Sequence, residues 1–423
     1  MAANSSSTSS SPLAAATTID LLRFSTAGSV DDGKSTLIGR MLYDSRSVYE
    51  DQIASVRGSG FNRSSGPLDF SLLTDGLRAE REQGITIDVA YRYFSTSRRR
   101  FIIADTPGHE QYTRNMATGA STADAALVLV DATQGMLVQS RRHLYIASLL
   151  GIRYIVAAIN KMDLVGYDRH VFDRITGDFS TFARQLGIAI EQTCAVPVSA
   201  LQGDNVVHRS LHMPWYQGPT LLDYLERVPV EQIASSGPLR FPVQYVIRPD
   251  SRFRGFAGQV VSGVLSPGLP VAALPSGLSS RVKSLVTFHG ELDYAGPGTA
   301  CTVTLEDQID LGRGDLLARP AGLPQVSSVF RARLLWMHPS PSRPETFYFL
   351  KHTTRTVRAR FNGAFRRVDV TTLERSSAAS LAMNEIAECE LETTQPLFFD
   401  PYCQNRTMGS FILIDPISNA PVA

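Results

Sequence analysis

The sequence predicts a multidomain chain of mixed α/β and β class, in which a mostly parallel, doubly wound sheet is followed by two small β-barrels. Three observations predict it. From Leu21 to about Val228, short apolar runs alternate with longer amphipathic stretches, the pattern of strands and helices wound into a parallel sheet. Around Ser235, Ser236, Gly237 and Pro238 the texture changes to short Val-, Leu- and Phe-rich runs broken by Gly and Pro, which is strand-and-turn composition. The length of 423 residues suggests about two to four domains at roughly 100 to 200 residues each.

Taken in order, the strands of the first region are Leu21 to Thr26, Asp88 to Phe94, Arg100 to Ala104, Ala125 to Asp131, Tyr154 to Asn160 and Ile190 to Val198. Helices fit Lys34 to Tyr43, Gln139 to Leu150 and Asp168 to Leu186; the last two carry apolar residues at three- and four-residue spacing. Tyr91, Tyr93 and the arginines 98 to 100 read as an antiparallel edge hairpin whose solvated turn accounts for the three cations. The first barrel ends near Pro320 and the second runs from about Val326, with Gly322, Leu323 and Pro324 as the joint. The expected division is a disordered tail over 1–18, a sheet domain over 19–229, and barrels over 238–320 and 326–423.

Composition narrows the function classes. Lys plus Arg (41) against Asp plus Glu (40) leaves a net charge of +1, so no bulk charge recommends nucleic acid or a membrane surface as partner. Hydrophobic residues at 43% and charged residues at 19% describe a globular chain. Apolar runs such as Ala125 to Val130 fall far short of the roughly 20 residues a bilayer crossing needs. Cys194, Cys301, Cys389 and Cys403 form no C-x-x-C pair, which argues against structural zinc and a disulfide framework and for a reducing, cytoplasmic compartment. Met1 to Thr18 lacks the basic start and apolar core of a secretory signal.

The chemistry starts at Gly28-Ser29-Val30-Asp31-Asp32-Gly33-Lys34-Ser35, which matches G-x-x-x-x-G-K-[ST] between a strand and a helix that continues with Thr36. Phosphates need many inward donors. Consecutive backbone N–H groups of such a loop form a nest and the helix N-terminus adds positive potential. Lys34 then sits on the β- and γ-phosphates and Ser35 gives its hydroxyl to Mg²⁺. A second motif, Asp105-Thr106-Pro107-Gly108-His109, follows the strand ending at Ala104. Alone it reads as a Pro-Gly turn; downstream of a phosphate loop, Asp105 can hold Mg²⁺ through water and the Gly108 N–H can reach the γ-phosphate. In Asn160-Lys161-Met162-Asp163, a fixed carboxylate can accept from both N1–H and the 2-amino group of guanine, a donor pair adenine lacks, while Asn160 can meet N7 and tie the loop together. Ser199-Ala200-Leu201 suits a loop presenting backbone N–H to the guanine O6.

In this order the motifs resemble those of the GTPase superfamily, which makes the first region a P-loop GTPase domain, and the His after D-T-P-G is similar to translation-factor-type GTPases. That resemblance implies that Thr86, in Arg81-Glu82-Gln83-Gly84-Ile85-Thr86-Ile87, binds Mg²⁺ and senses the γ-phosphate, and that His109 orients the attacking water. The finer resemblance is to the large GTP-hydrolysing subunit of bacterial sulfate adenylyltransferase, the CysN type. It is carried by Gly28 to Arg40, where elongation factors usually show His at the positions of Ser29 and Asp32, and by Asp105 to Gly119. Met213-Pro214-Trp215-Tyr216, Phe241 to Val246, Leu274-Pro275-Ser276-Gly277 and Ile414 to Asn419 carry it further.

The resemblance implies that a smaller, CysD-type partner subunit, in a heterodimer or larger complex, holds ATP and sulfate and performs adenylyl transfer while this chain hydrolyses GTP to drive it. Thr86 and the Gly108 N–H would hold the γ-phosphate and release on its loss, with the long stretch from Tyr43 to Gly84 as either a mobile partner surface or a solvated insertion. A fused adenylylsulfate kinase would need a second phosphate loop; with none present, the unfused form is expected. Two other readings remain. A tRNA-delivering elongation factor would share the core and barrels but should show a basic face and the His-bearing loop. A scaffold could bind GTP without turnover, against which Lys34, Ser35, Asp105 and His109 all speak.

Overall fold

The computed structural model describes residues 20–48, 70–73, 88–230, 237–250 and 253–423. Its first sheet has six strands: β1 (Asp20–Ala27), β2 (Ala90–Ser95), β3 (Arg99–Asp105), β4 (Ala125–Asp131), β5 (Tyr154–Asn160) and β6 (Thr193–Pro197). The order is β2-β3-β1-β4-β5-β6, with β2 antiparallel to β3 and every other pair parallel. All seven residues of β4 are buried, as a strand sandwiched between two helical layers requires. Among the described residues, the helices of this region are α1 (Lys34–Asp44), α2 (Thr113–Ala120), α3 (Val138–Leu149), α4 (Arg169–Gln185) and α5 (Leu221–Arg227).

Local signals explain most of these boundaries. The side chain of Asp168 accepts from the His170 N–H and starts α4, whose buried Phe172, Ile175, Phe179 and Phe182 repeat at helical spacing. Thr220 caps α5 through the Asp223 N–H. Three sequence expectations need correction. Ile190–Gln192 is a 3₁₀ turn, and only Thr193–Pro197 extends the sheet. The sequence pattern predicts no helix at α2 or α5; at eight and seven residues both are too short for a clear apolar period. The arginines of the edge hairpin are not all solvated either. Arg99 is buried, reaching Asp20 at 2.7 Å and the carbonyls of Leu225 and Val228 at the end of α5, where a cation meets the negative end of the helix dipole.

Seven strands between Arg240 and Ala318 form the second sheet, and it closes on itself: Pro270–Leu274 pairs with Leu316–Ala318 on one side and with Ser279–Thr287 on the other. Val243, Phe256, Val271, Val282 and Val303 point into its core. The third sheet is also seven-stranded and antiparallel; its longest strand, Ile386–Phe399, pairs with Gln325–Leu335, Arg355–Phe361 and Phe365–Val368. This matches the expected fold class of a parallel-sheet domain followed by two curled antiparallel ones.

The parts are bolted together by specific contacts. Met116 and Ala117 of α2 and Ile146 of α3 share an apolar cluster with Leu335 and Ile386 of the third sheet. Tyr402 Oη donates to the Leu150 carbonyl at 2.8 Å, and Arg406 donates to those of Ser121 and Ala123 at 2.9 and 3.2 Å. Between the two β domains, buried Arg240 holds Asp400 at 2.8 Å and also reaches the carbonyls of Leu239 and Gly322. No helix among the described residues is long and apolar enough to cross a membrane.

Candidate functional site

The chain leaves β1 for one side of the sheet and later crosses to the other, so a crevice opens beyond the carboxyl ends of the strands, where open α/β sheets take their ligands. Five strand ends meet there: β1 at the Gly28–Lys34 loop, β3 at Asp105, β4 at Asp131, β5 at Asn160 and β6 just before Ser199. The register aligns Thr26 with Asp105 and Asp131 with Asn160.

The phosphate-type loop is held open by its own polar groups. Asp31 and Gly33 adopt left-handed conformations, with φ of 66° and 87°, which turn successive N–H groups to one side. Gly33 has a second reason to be glycine: a Cβ there would lie 2.6 Å from the Asn160 amide nitrogen. Lys34 is buried, its ammonium donating to the carbonyls of Gly28 and Ser29 at 2.9 and 2.8 Å. Burial pulls the Lys34 pKa down, against the carboxylates of Asp105, Asp32 and Asp31. Asp32, where the sequence departs from the usual His, accepts the Ser29 N–H and is 2% exposed. Burial raises its carboxyl to about 6 despite the attraction of Lys34. The Ser29 hydroxyl is buried without a partner among the described residues. Val30 is exposed, and Ser35 and Thr36 lie half-buried in the first turn of α1.

Asp105 accepts the Thr26 hydroxyl at 2.9 Å, and the Thr106 hydroxyl donates to the Thr26 carbonyl, so the strand end beside the loop is rigidly seated. After Pro107, Gly108 lies directly on the loop. A Cβ at Gly108 would stand 2.3 Å from the Gly28 oxygen and 2.4 Å from Lys34 Nζ. The structure thus brings the Gly108 backbone, not the His109 ring, against the loop: His109 is exposed with its ring 6.1 Å from that of Tyr112. The Ser35 hydroxyl, in the first turn of α1, and the Asp105 carboxylate, at the end of β3, are hard oxygen donors of the kind that suits Mg²⁺. Thr86 lies outside the described residues, as do the 1–18 tail and most of the stretch from Tyr43 to Gly84.

The base-type loops are tied to the phosphate loop by one side chain. Asn160 donates to the Asp32 carbonyl at 2.8 Å and accepts the Ala200 N–H at 2.9 Å. Of its two expected tasks, the structure therefore displays the tying one. It also commits the Ala200 N–H internally and leaves that of Leu201 as the donor without a backbone partner among the described residues. Lys161, at φ 63°, reaches Asp131 at 2.7 Å; burial would raise the Asp131 carboxyl, but hydrogen bonds from Lys161 and Thr133 more than offset it and hold it low. Met162 is buried, its N–H on the Val198 carbonyl. The half-buried Asp163 carboxylate carries no hydrogen bond among the described residues. Ser199 is fully buried, its hydroxyl accepting the Gln202 N–H at 3.2 Å.

Several supporting residues escaped the sequence reading: Thr26, Asp131, Tyr167, Asp204 and Arg40, which donates to the Leu201 carbonyl at 3.1 Å. Only Asp131 left a signal, as an acid closing an entirely apolar strand.

Comparison with known proteins agrees with this geometry. Residues 20–230 match the model of the elongation factor Tu GTP binding domain, and residues 329–423 match that of the GTP-eEF1A C-terminal domain-like family. The chain is 54% identical to sulfate adenylyltransferase subunit 1 of Bacteroides fragilis, over 95% of this chain and 84% of that one. It is 55% identical to the protein of the same name from Shewanella oneidensis, with the same coverage. The bifunctional enzyme NodQ of a Rhizobium species is 53% identical over 97% of this chain, which spans 64% of that enzyme. This chain belongs to the sulfate adenylyltransferase subunit 1 family, and its amino-terminal half is an elongation factor Tu-type GTP-binding domain.

Proposed function

We propose that this chain binds and hydrolyses GTP as one subunit of a sulfate adenylyltransferase, and that the hydrolysis drives a smaller partner subunit to make adenylylsulfate and pyrophosphate from ATP and sulfate. The observation that carries this reading is Asn160, which joins the Asp32 carbonyl of the phosphate-type loop to the Ala200 N–H of the base-type loop. One nucleotide can then be read at its base and gripped at its phosphates by a single rigid unit.

In this reading the backbone of Gly28 to Ser35 cradles the phosphates, assisted by Thr36, and the Lys34 ammonium leaves its two carbonyl partners for the β- and γ-phosphates, where charge develops. Exchange of two carbonyl acceptors for phosphate oxygens restores the positive charge that burial disfavours. Asp163 accepts from the guanine N1–H and 2-amino group, and the Leu201 N–H serves O6. Ser35, Asp105 and Thr86 hold Mg²⁺, which neutralises charge on the phosphates when bound. Gly108 brings its N–H to the γ-phosphate with no side chain in the way, and His109 swings in to orient the water that attacks it.

Sulfate is a poor nucleophile and its anhydride with AMP is high in energy, so adenylyl transfer benefits from a second hydrolysis. Loss of the γ-phosphate frees the Gly108 segment and the α2 helix that follows it, and the partner subunit responds to that change. Work in a reducing cytoplasm fits the thiols: all four cysteines are free, and burial pushes Cys194 and Cys301 up to about 11 and Cys389 up to about 12, which keeps them as unreactive thiols.

Purification of this chain with its adenylylating partner, followed by assays of adenylylsulfate formation with and without GTP, tests the reading. GTP-dependent stimulation, with no adenylylsulfate from this chain alone, supports it. GTP turnover stimulated by ribosomes instead would favour the elongation-factor alternative.

A further inference from the structure

Besides Asn160, a further tie joins the two base-type loops. The turn that presents Asp163 starts with Lys161 and ends at Gly166 and Tyr167, all three in left-handed conformations, with φ of 63°, 65° and 59°. For a bulky residue such as Tyr167 this conformation is strained, and it persists only where surrounding contacts enforce it. Those contacts are present. The Tyr167 N–H donates to the Met162 carbonyl at 2.8 Å, and the Gly166 N–H to that of Asp163 at 3.3 Å. The Trp215 indole N–H donates to the Tyr167 carbonyl at 3.1 Å. The Tyr167 ring stacks on His212 at 4.8 Å, and its hydroxyl donates to Asp204 at 3.1 Å.

Asp204 belongs to the other loop. Its carbonyl accepts the Ser199 N–H at 3.2 Å, its buried carboxylate takes the Ser210 hydroxyl at 2.6 Å, and His212 Nδ1 lies 3.3 Å away. One hydrogen bond, Tyr167 to Asp204, therefore spans from the end of the Asp163 turn to the start of the Ser199–Leu201 loop.

We infer that Tyr167 and Asp204 are positioning residues for base selection: their hydrogen bond sets the distance between the Asp163 carboxylate and the Leu201 N–H, and with it the preference for guanine. The inference rests on the guanine assignment of Asp163 and Leu201 given above. Neither residue touches the nucleotide; both act through the two loops.

The test compares GTP with inosine triphosphate, which keeps N1–H but lacks the 2-amino group, in steady-state hydrolysis by the full chain with its partner subunit. Tyr167→Phe removes one hydroxyl. It should raise KM for GTP about tenfold, the factor one lost hydrogen bond supplies, lower the GTP-to-inosine preference about threefold, and leave kcat in place. Asp204→Asn retains an acceptor for Tyr167 and should keep the preference, whereas Asp204→Ala should lose it as Tyr167→Phe does. Asp163→Asn serves as the control and should weaken GTP and admit xanthosine triphosphate. If that control changes base preference while Tyr167→Phe alters only the melting temperature, Tyr167 is merely structural and the inference is overturned. If the control leaves base preference intact, the guanine assignment itself fails and the inference falls with it.

Discussion

The guanidinium of Arg406 donates to the backbone carbonyl of Ser121 at 2.9 Å. Ser121 is the residue immediately after α2, so a side chain from the last β domain grips the far end of the helix that begins four residues after His109. In the proposed reading, a movement of Gly108 on loss of the γ-phosphate would be pulled against this grip and against the Met116, Ala117, Leu335 and Ile386 cluster. The contact joins the nucleotide site to the β domains through two short, defined elements.

Arg406→Ala should therefore leave GTP affinity of the isolated chain close to wild type and reduce coupling in the complex. The measurement is the ratio of adenylylsulfate formed to GTP hydrolysed, which should fall severalfold. A ratio equal to wild type would mean that α2 does not transmit the change.

His109 stands exposed in this structure, so its proposed part in hydrolysis requires a swing toward the phosphates. His109→Ala should spare GTP binding and slow single-turnover hydrolysis about 100-fold or more, the range expected when a water-orienting or acid–base group is lost. Unchanged hydrolysis would remove it from the reaction.

Arg240 is 2% exposed and holds Asp400 through two nitrogens. Arg240→Ala leaves the Asp400 carboxylate buried with its main partner gone, a change that costs about 3 to 5 kcal/mol. Chemical denaturation followed by tryptophan fluorescence should show the β domains unfolding at lower denaturant, since Trp336 packs inside the third sheet.

The sequence made the chemistry of this site more legible than its support. The phosphate-type loop, Asp105, Asn160 and Asp163 sit in short contiguous motifs that stand out without a fold, and the structure brings them to one end of the sheet. Tyr167 and Asp204, 37 residues apart, meet only because β5 and β6 are neighbours in the sheet, and Arg406 reaches Ser121 across 285 positions. No local pattern marks such pairs. β4 and β5 were delimited to the residue because continuous apolar runs end abruptly at Asp131 and Asn160. The 3₁₀ turn at Ile190 resembles strand in sequence because a single β-branched residue looks the same in both. In sequence Arg99 resembles any solvated turn residue, because charge alone does not announce that a helix end waits for it.

Asp32 supplies a pH dependence. Its carboxyl titrates near 6 in the fold and near 3.9 when unfolded, so between those values the folded chain holds a proton that the unfolded chain releases. Stability from this group is present below about 4 and is lost as pH rises through 6. Relative to Asp32→Asn, whose amide oxygen can still accept the Ser29 N–H, the nucleotide-free wild type should lose about 1 kcal/mol between pH 5 and pH 7. Parallel melting curves at the two pH values check this, and a constant difference would show that Asp32 stays ionised throughout.

Isothermal titration of the isolated chain with GTP, GDP and ATP in the presence of Mg²⁺ bears most directly on the central claim. The account predicts one site that takes GTP and GDP and discriminates strongly against ATP. Failure to bind either guanine nucleotide, or equal affinity for ATP, would contradict it.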